Sequence, residues 1–375
     1  MSSCPSPTWL DFATESWRMA GCPSGLEPAT VESDPVAFDL AYHDYFESAY
    51  SEDWANLRRR VDPEDGALLA DESVEFREAW RRHLLWPTTW RQVLPLFVFG
   101  KALEVDHNLL GECAASYCLL QAVPSMIADR ALDEASSLTR PSDVAAGMIA
   151  VLKGLQTLRA IEPQLLPPVE DRFLSHALEM YSLMLVEHAN RFKMLTPPYA
   201  ELIANYVGER SRLDSSIFLG VLPGWAFCLA RRSPPPRFLE TFALMRRVRQ
   251  LNDEIDDVEE DLVAGQLTLP WLYALESEPD LSGRIAELWQ AQADPAALGG
   301  CTTALARSGG CERAAAVSLE WLAKSMNAVC HAWSPGGAFE ISAIVNVRWA
   351  HLNRMAGRGF VPGPPPRQPK MPQRP

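Results

Sequence analysis

Apolar residues recur at i, i+3 and i+4 through most of the chain, the spacing of helices that turn one face inward. The pattern runs through FREAWRRHLLW, GECAASYCLLQAVPSMIADRALDEA, VAAGMIAVLKGLQTLRAI, PVEDRFLSHALEMYSLMLVEHANRF, YAELIANYVGERSRL and PRFLETFALMRRVRQLNDEIDDVEEDL. Period-two alternation is nearly absent, so few strands are expected. Pro141, Pro167-Pro168, Pro197-Pro198, Pro234-Pro235-Pro236 and Gly265 punctuate the pattern where helices stop and start. The spacing predicts a single all-α bundle of about ten helices over residues 45–355. Residues 1–44 mix Pro, Ser, Gly and acids and read as an irregular extension. Residues 356–375, with seven prolines after Phe360, read as a disordered tail.

Charge narrows the classes of partner. Lys+Arg 34 against Asp+Glu 48 gives a net charge of −14, which argues against nucleic acid, since phosphate backbones are bound by cationic patches. Only five of the 34 basic residues are lysine, so 29 are the planar forks of arginine. The eight cysteines lie in apolar surroundings without paired spacing and read as reduced thiols. The N-terminus lacks a basic, apolar leader, so a cytoplasmic location is expected. The apolar stretch 215–230 is too short for a membrane span and is interrupted by Gly220, Pro223 and Gly224. It reads as a broken, buried helix, and no stable membrane insertion is expected.

Two acidic clusters end apolar helical stretches. In SMIADRALDEAS, Asp129 and Asp133 are i, i+4 and share a face, a spacing that can bind Mg²⁺ while leaving positions open for phosphate oxygens. An ordinary polar helix end has the same composition. In the second cluster Asn252, Asp256 and Glu260 fall at i, i+4 and i+8, and Asp253 and Asp257 form a parallel pair. Like charges one turn apart destabilise a helix, which a cation would relieve. A solvated acidic face explains the charge but not the asparagine or the register. No HExxH, GxSxG, GxGxxG or Walker-type loop occurs, so zinc hydrolase, serine hydrolase and nucleotide-binding readings lack motif support.

The run Gln250-Leu-Asn-Asp253-Glu254-Ile-Asp-Asp257, continuing to Asp261-Leu-Val-Ala-Gly265-Gln-Leu-Thr268-Leu269-Pro270, resembles the second aspartate-rich motif of trans-isoprenyl diphosphate synthases. The first cluster is similar to that family's D-D-x-x-D, with Arg130 replacing the second aspartate and 124 residues separating Asp129 from Asp253. Read in the other register, Asn252, Asp256 and Glu260 resemble the metal triad of class I terpene synthases. Tyr206-Val-Gly-Glu-Arg210-Ser-Arg212 is similar to the segment whose arginine senses diphosphate there, with Arg210 and Arg212 both candidates. Arg348-Trp349 lies 88 residues beyond Glu260, about where those synthases carry Arg-Tyr.

The resemblance implies an isoprenoid synthase bundle around a central cavity and a linear allylic prenyl diphosphate as substrate. Three Mg²⁺ ions would be held by Asp129, Asp133, Asn252, Asp253, Asp256, Asp257 and Glu260. Arg140, Arg210, Arg212, Arg348 and Trp349 would contact the diphosphate, and a homodimer is allowed. Phe97, Phe99, Tyr117, Phe218 and Trp225 are candidates to line a dry pocket that protects an allylic cation.

Departures decide between reactions. The family's G-G-K-R-x-R-P is Pro87-Thr-Thr-Trp90-Arg91-Gln-Val-Leu94-Pro95 here, its K-T is Leu213-Asp214, and its G-K is Gly265-Gln266. One diphosphate site looks retained and that of the co-substrate lost. The expectation is therefore a Mg²⁺-dependent class I terpene synthase that releases diphosphate and a cyclic product. The alternatives are a prenyltransferase or isoprenyl diphosphate synthase, or an inactive partner subunit of one.

Overall fold

The structure is a computed structural model that describes residues 44–45, 47–84, 86–132, 140–161, 182, 195, 198–207, 218–234, 238–290 and 295–332. The extension before residue 44 and the proline-rich tail lie outside these residues. The described residues are helical and include no strand, as the periodicity predicts.

Helix α1 spans Ser51–Val61 and α2 spans Val74–His83. Ser73 caps α2 by accepting from the Phe76 amide, and Phe76, Ala79, Trp80 and His83 form its buried stripe. Trp80 Nε1 donates to the Val61 carbonyl at 2.9 Å, which fixes α2 against the end of α1. The stripe thus closes with a histidine where a hydrophobic residue would ordinarily sit. Helix α3, Trp86–Ala102, is buried from Val93 to Gly100 and serves as a core helix.

Helix α4, His107–Tyr117, runs through a π-helical turn at Cys118–Ala122 into α5, Val123–Leu132. Pro124 explains the turn. It has no N–H to offer, and its ring would strike the carbonyl four residues back in an α-helix. Widening to i→i+5 bonding, with Val123 N–H on the Cys118 carbonyl, avoids both problems. A π turn adds a residue without adding a turn, so everything beyond it is rotated by about 100° relative to an unbroken helix.

Helix α6, Pro141–Ile161, packs on α4, the π turn, α5 and α2. Its opposite side exposes Val144, Met148, Ile149 and Leu152. It is long and apolar enough to cross a membrane, with a mean hydropathy of 1.4 over 18 residues, yet its small residues seat it on the bundle. Gly154 is the tightest of these seats.

Helix α7 is Tyr199–Asn205, and α8 is Phe218–Leu229, packed on α3. The expected break at Gly220–Gly224 does not occur. Pro223 falls near the helix start, where it forfeits one backbone bond, and burial of Trp225, Ala226 and Phe227 holds the helix together. Helix α9, Phe238–Asp256, makes its most extensive pairing with the last described helix, α14, Gly310–Ala332. Between them run α10, Val258–Val263, α11, Leu269–Ser277, α12, Leu281–Gln290, and α13, Pro295–Ser308. Two indoles lock α10 in place: Trp271 Nε1 donates to the Val258 carbonyl and Trp289 Nε1 to the Leu262 carbonyl, each at 2.7 Å. Gly265, at φ +83°, ends α10 in the left-handed region, with Gln266 N–H reaching back to the Asp261 carbonyl. Among the described residues Cys113, Cys118, Cys301 and Cys311 are buried thiols; burial raises their pKa, that of Cys311 to about 12.

A Cβ at Gly154 would lie 2.7 Å from Leu120 Cγ and 2.9 Å from the Leu120 nitrogen. Because backbone cannot yield cheaply, Gly154→Ala should destabilise the protein by about 1–3 kcal/mol, read as a lower urea midpoint with an unchanged slope.

Candidate active site

The second acidic cluster sits where α9 ends. The helix does not continue to Glu260 as the sequence pattern suggests. Asp257 leaves the helical region with φ −100° and ψ 18°, although its N–H still bonds to the Asp253 carbonyl at 2.8 Å. The acidic run is therefore a bent joint between α9 and α10. Asp253 is half-buried, while Asp256, Asp257 and Glu260 are exposed. Burial first, then the charges of Glu260, Asp253 and Asp256, raise the pKa of Asp257 above the usual carboxylate value. Four carboxylates thus share one field, as the sequence predicts.

Asn252 is separated from them. It is fully buried in the seam between α9 and α14, where the Ser318 hydroxyl donates to its Oδ1 at 3.3 Å. Asn252 is thus enclosed by α14, while Asp256 and Glu260, one and two turns further on, are exposed. Among the described residues no three His, Cys, Asp or Glu side chains stand ready to hold a metal ion by themselves.

Glu254 stands where the aspartate-rich motif has its second aspartate, and it turns inward. It is 6% exposed, accepts from the Tyr206 hydroxyl through Oε1, and accepts from the Leu269 N–H at 3.4 Å through Oε2. One buried carboxylate so joins α9, the start of α11 and the residue that opens the Tyr206–Arg212 segment. Arg210 and Arg212 themselves lie outside the described residues, as do Arg348 and Trp349.

At the first cluster, Asp129 lies on the last turn of α5, and Asp133 lies outside the described residues. Arg130, the replacement for the second aspartate, points back into the bundle. Its Nη1 donates to the Arg82 carbonyl and to His83 Nδ1, each at 3.2 Å. A guanidinium can only donate, so Nδ1 accepts and the ring proton lies on Nε2. That nitrogen is 3.0 Å from Asp143 Oδ2. The same carboxylate pairs with Arg82 and accepts from the Arg140 backbone N–H at 3.0 Å. The Arg140 side chain is exposed. Burial raises the Asp143 pKa, but bonds from Arg82, His83 and the Arg140 amide outweigh it and hold the group at about 2. The sequence reading missed His83, Asp143 and the buried role of Glu254. A histidine closing the apolar stripe of α2 and an acid opening apolar α6 were the available signals.

Phe97, Phe99, Tyr117 and Trp225 are all buried where α3, α4 and α8 meet; Phe218 opens α8. Tyr117 meets Trp225 edge-on with centroids 6.3 Å apart, and Phe99 meets Phe227 at 6.2 Å. Phe97, Phe99, Tyr117 and Trp225 thus share one region of the core. The two motif helices, α5 and α9, are not principal packing partners of each other, which suits two walls of a bundle.

No sequence-family model and no characterised protein matches the chain by sequence. Solved structures do. A decaprenyl diphosphate synthase from Rhodobacter capsulatus superposes with a TM-score of 0.65 at 12% identity, covering 82% of this chain and 99% of its own. A polyprenyl synthase from Roseobacter denitrificans gives 0.63 at 11% identity, covering 84% and 99%. The fold is that of the trans-isoprenyl diphosphate synthases. A further match, at 0.59 and 13% identity over 81% of this chain and 97% of the other, is a polyprenyl synthase from Caulobacter crescentus complexed with calcium and isoprenyl diphosphate. With this fold, the all-α bundle of the isoprenoid synthase type stands as expected.

Two outcomes follow for stability. Glu254→Ala removes the acceptor shared by the Tyr206 hydroxyl and the Leu269 amide and should cost about 1–3 kcal/mol, whereas Glu260→Ala should stay within about 0.5 kcal/mol in the same denaturation assay. Asp143 has its folded pKa lowered from 3.8 to about 2, so its contribution is complete above the unfolded value and lost as pH falls through the folded one. Between pH 5 and pH 2 the wild type should therefore lose roughly 1–2 kcal/mol more than Asp143→Asn, measured by urea denaturation across pH.

Proposed function

We propose that the protein acts on a linear allylic prenyl diphosphate and transfers its prenyl group, as an enzyme of the isoprenoid synthase class. The observation that carries this reading is the four-carboxylate joint of α9 and α10, set in the fold of prenyl diphosphate synthases. Its mutual repulsion is of the kind a divalent cation relieves. Asp253, Asp256, Asp257 and Glu260 fit Mg²⁺ in charge and in hardness. They fit ions that arrive with a diphosphate better than ions caged by protein alone, since Mg²⁺ keeps few protein ligands. Asp129 and Asp133 would complete the set from the opposite helix. When bound, Mg²⁺ would supply charge neutralisation to the departing diphosphate. Arg140, Arg210, Arg212 and Arg348 would bind its remaining oxygens. Tyr117, Trp225 and their neighbours would exclude water from the allylic end.

The solved structures that share the fold are prenyl diphosphate synthases, which favours prenyl transfer. The cyclase reading keeps specific support in the chain itself: the glycines and lysine of the co-substrate motif are replaced, with Pro87-Thr-Thr-Trp90 where the resembling family has G-G-K-R. Incubation with geranyl, farnesyl, geranylgeranyl and geranylfarnesyl diphosphates plus Mg²⁺, each with and without isopentenyl diphosphate, separates them by mass spectrometry of the products. A lengthened diphosphate is expected. Hydrocarbon or alcohol from one substrate alone would establish the cyclase, and no diphosphate release from any would overturn both in favour of an inactive partner subunit. Asp253→Ala and Asp257→Ala should each lower kcat/KM by at least about 10–100-fold while leaving the denaturation midpoint close to wild type.

A further inference from the structure

Among the described residues, the bonds around Asp143 connect two points that are far apart in function. Arg130 belongs to the last turn of α5, the turn that carries Asp129. Arg140 immediately precedes α6. Between them in space stands His83, fully buried, accepting from Arg130 on one ring nitrogen and donating to Asp143 from the other. Asp143, also fully buried, bonds the Arg140 amide and pairs with Arg82. A single imidazole therefore spans from the end of one helix to the start of the next, with every bond direction set by the donor-only guanidinium.

We infer that His83 and Asp143, with Arg130, are positioning residues that hold the Asp129-bearing turn of α5 in fixed relation to the first turn of α6. The inference rests on the proposed function only for its catalytic consequence. Three features carry it. Its central bond, from His83 to Asp143, is buried, so water does not compete for it, and the flanking bonds are part-buried. It is closed at both ends on backbone, through the Arg82 carbonyl and the Arg140 amide, and so fixes main chain as well as side chains. It also gives Arg130 a defined role: the guanidinium is a tie to α2 in a place where the resembling motif has a carboxylate. A metal-binding turn gains from such support, because ligands misplaced by fractions of an ångström lose affinity and rate.

The test compares His83→Leu with His83→Gln. Leucine fills the volume and removes both bonds, whereas a glutamine amide has one donor for Asp143 and one acceptor for Arg130. In metal-free protein, amide hydrogen exchange over residues 127–132 and at Arg140 and 142–145 should quicken by at least about tenfold in His83→Leu, while α9 and α14 keep their protection. His83→Gln should restore most of it, and Arg130→Met should reproduce the loss on the α5 side. In the product assay, His83→Leu should raise the Mg²⁺ concentration for half-maximal rate by about 10–100-fold, with His83→Gln close to wild type. Unchanged exchange in both turns of His83→Leu and of Arg130→Met would overturn the inference, as would an equal rise across the whole domain. The exchange result decides the tie whatever the product assay yields, so a failed functional reading and a failed tie give different outcomes.

Discussion

A carboxylate withdrawn from water costs several kcal/mol unless donors surround it, and that constraint organises both acidic motifs. Among the described residues Glu254 of the second motif is buried, and so is Asp143 at the start of α6, beyond the first. Neither could be buried without its partners, so each gathers elements that are distant in sequence. Glu254 draws Tyr206 and the start of α11 onto α9, and Asp143 draws α2 and the chain before α6 together. The acids left facing outward at the α9–α10 joint are then displayed from a braced frame. Their shared repulsion is tolerable because the backbone beneath is held by indole bonds to Val258 and Leu262.

That division explains a chemical asymmetry within a short run of sequence. Asn252, Asp253, Glu254, Asp256 and Asp257 look equivalent as polar residues near a helix end. In the structure two of them face the interior and three face outward, and the two inward residues meet different helices. Solvent reaches the outward set, while the inward pair fixes where that set stands.

The all-α architecture was legible because its cause is local: period 3.6 in the apolar positions and proline or glycine at the stops. The acidic motifs were legible for the same reason, since the spacing of like charges is visible in the chain. The bend at Asp257 was not, because the apolar spacing of Leu251, Ile255, Val258 and Leu262 runs through it unbroken, while the indoles that hold α10 come from Trp271 and Trp289 farther along the chain. The continuity of α8 through Pro223 was misread in the opposite direction, tertiary burial overriding a local breaker. His83 escaped because pattern reading treats a lone histidine as incidental, and its partners at residues 130 and 143 lie far along the chain.

The π turn at Cys118–Ala122 has one more consequence. A relative that lacked it would align with this chain residue for residue up to Tyr117 and then, without a gap inside the helix, would match each inward residue to a neighbour pointing elsewhere. The fold could persist while similarity counted position by position fell away on one side of Pro124. In such a pair shape would be carried by the helix axis, and correspondence would be lost through its rotation.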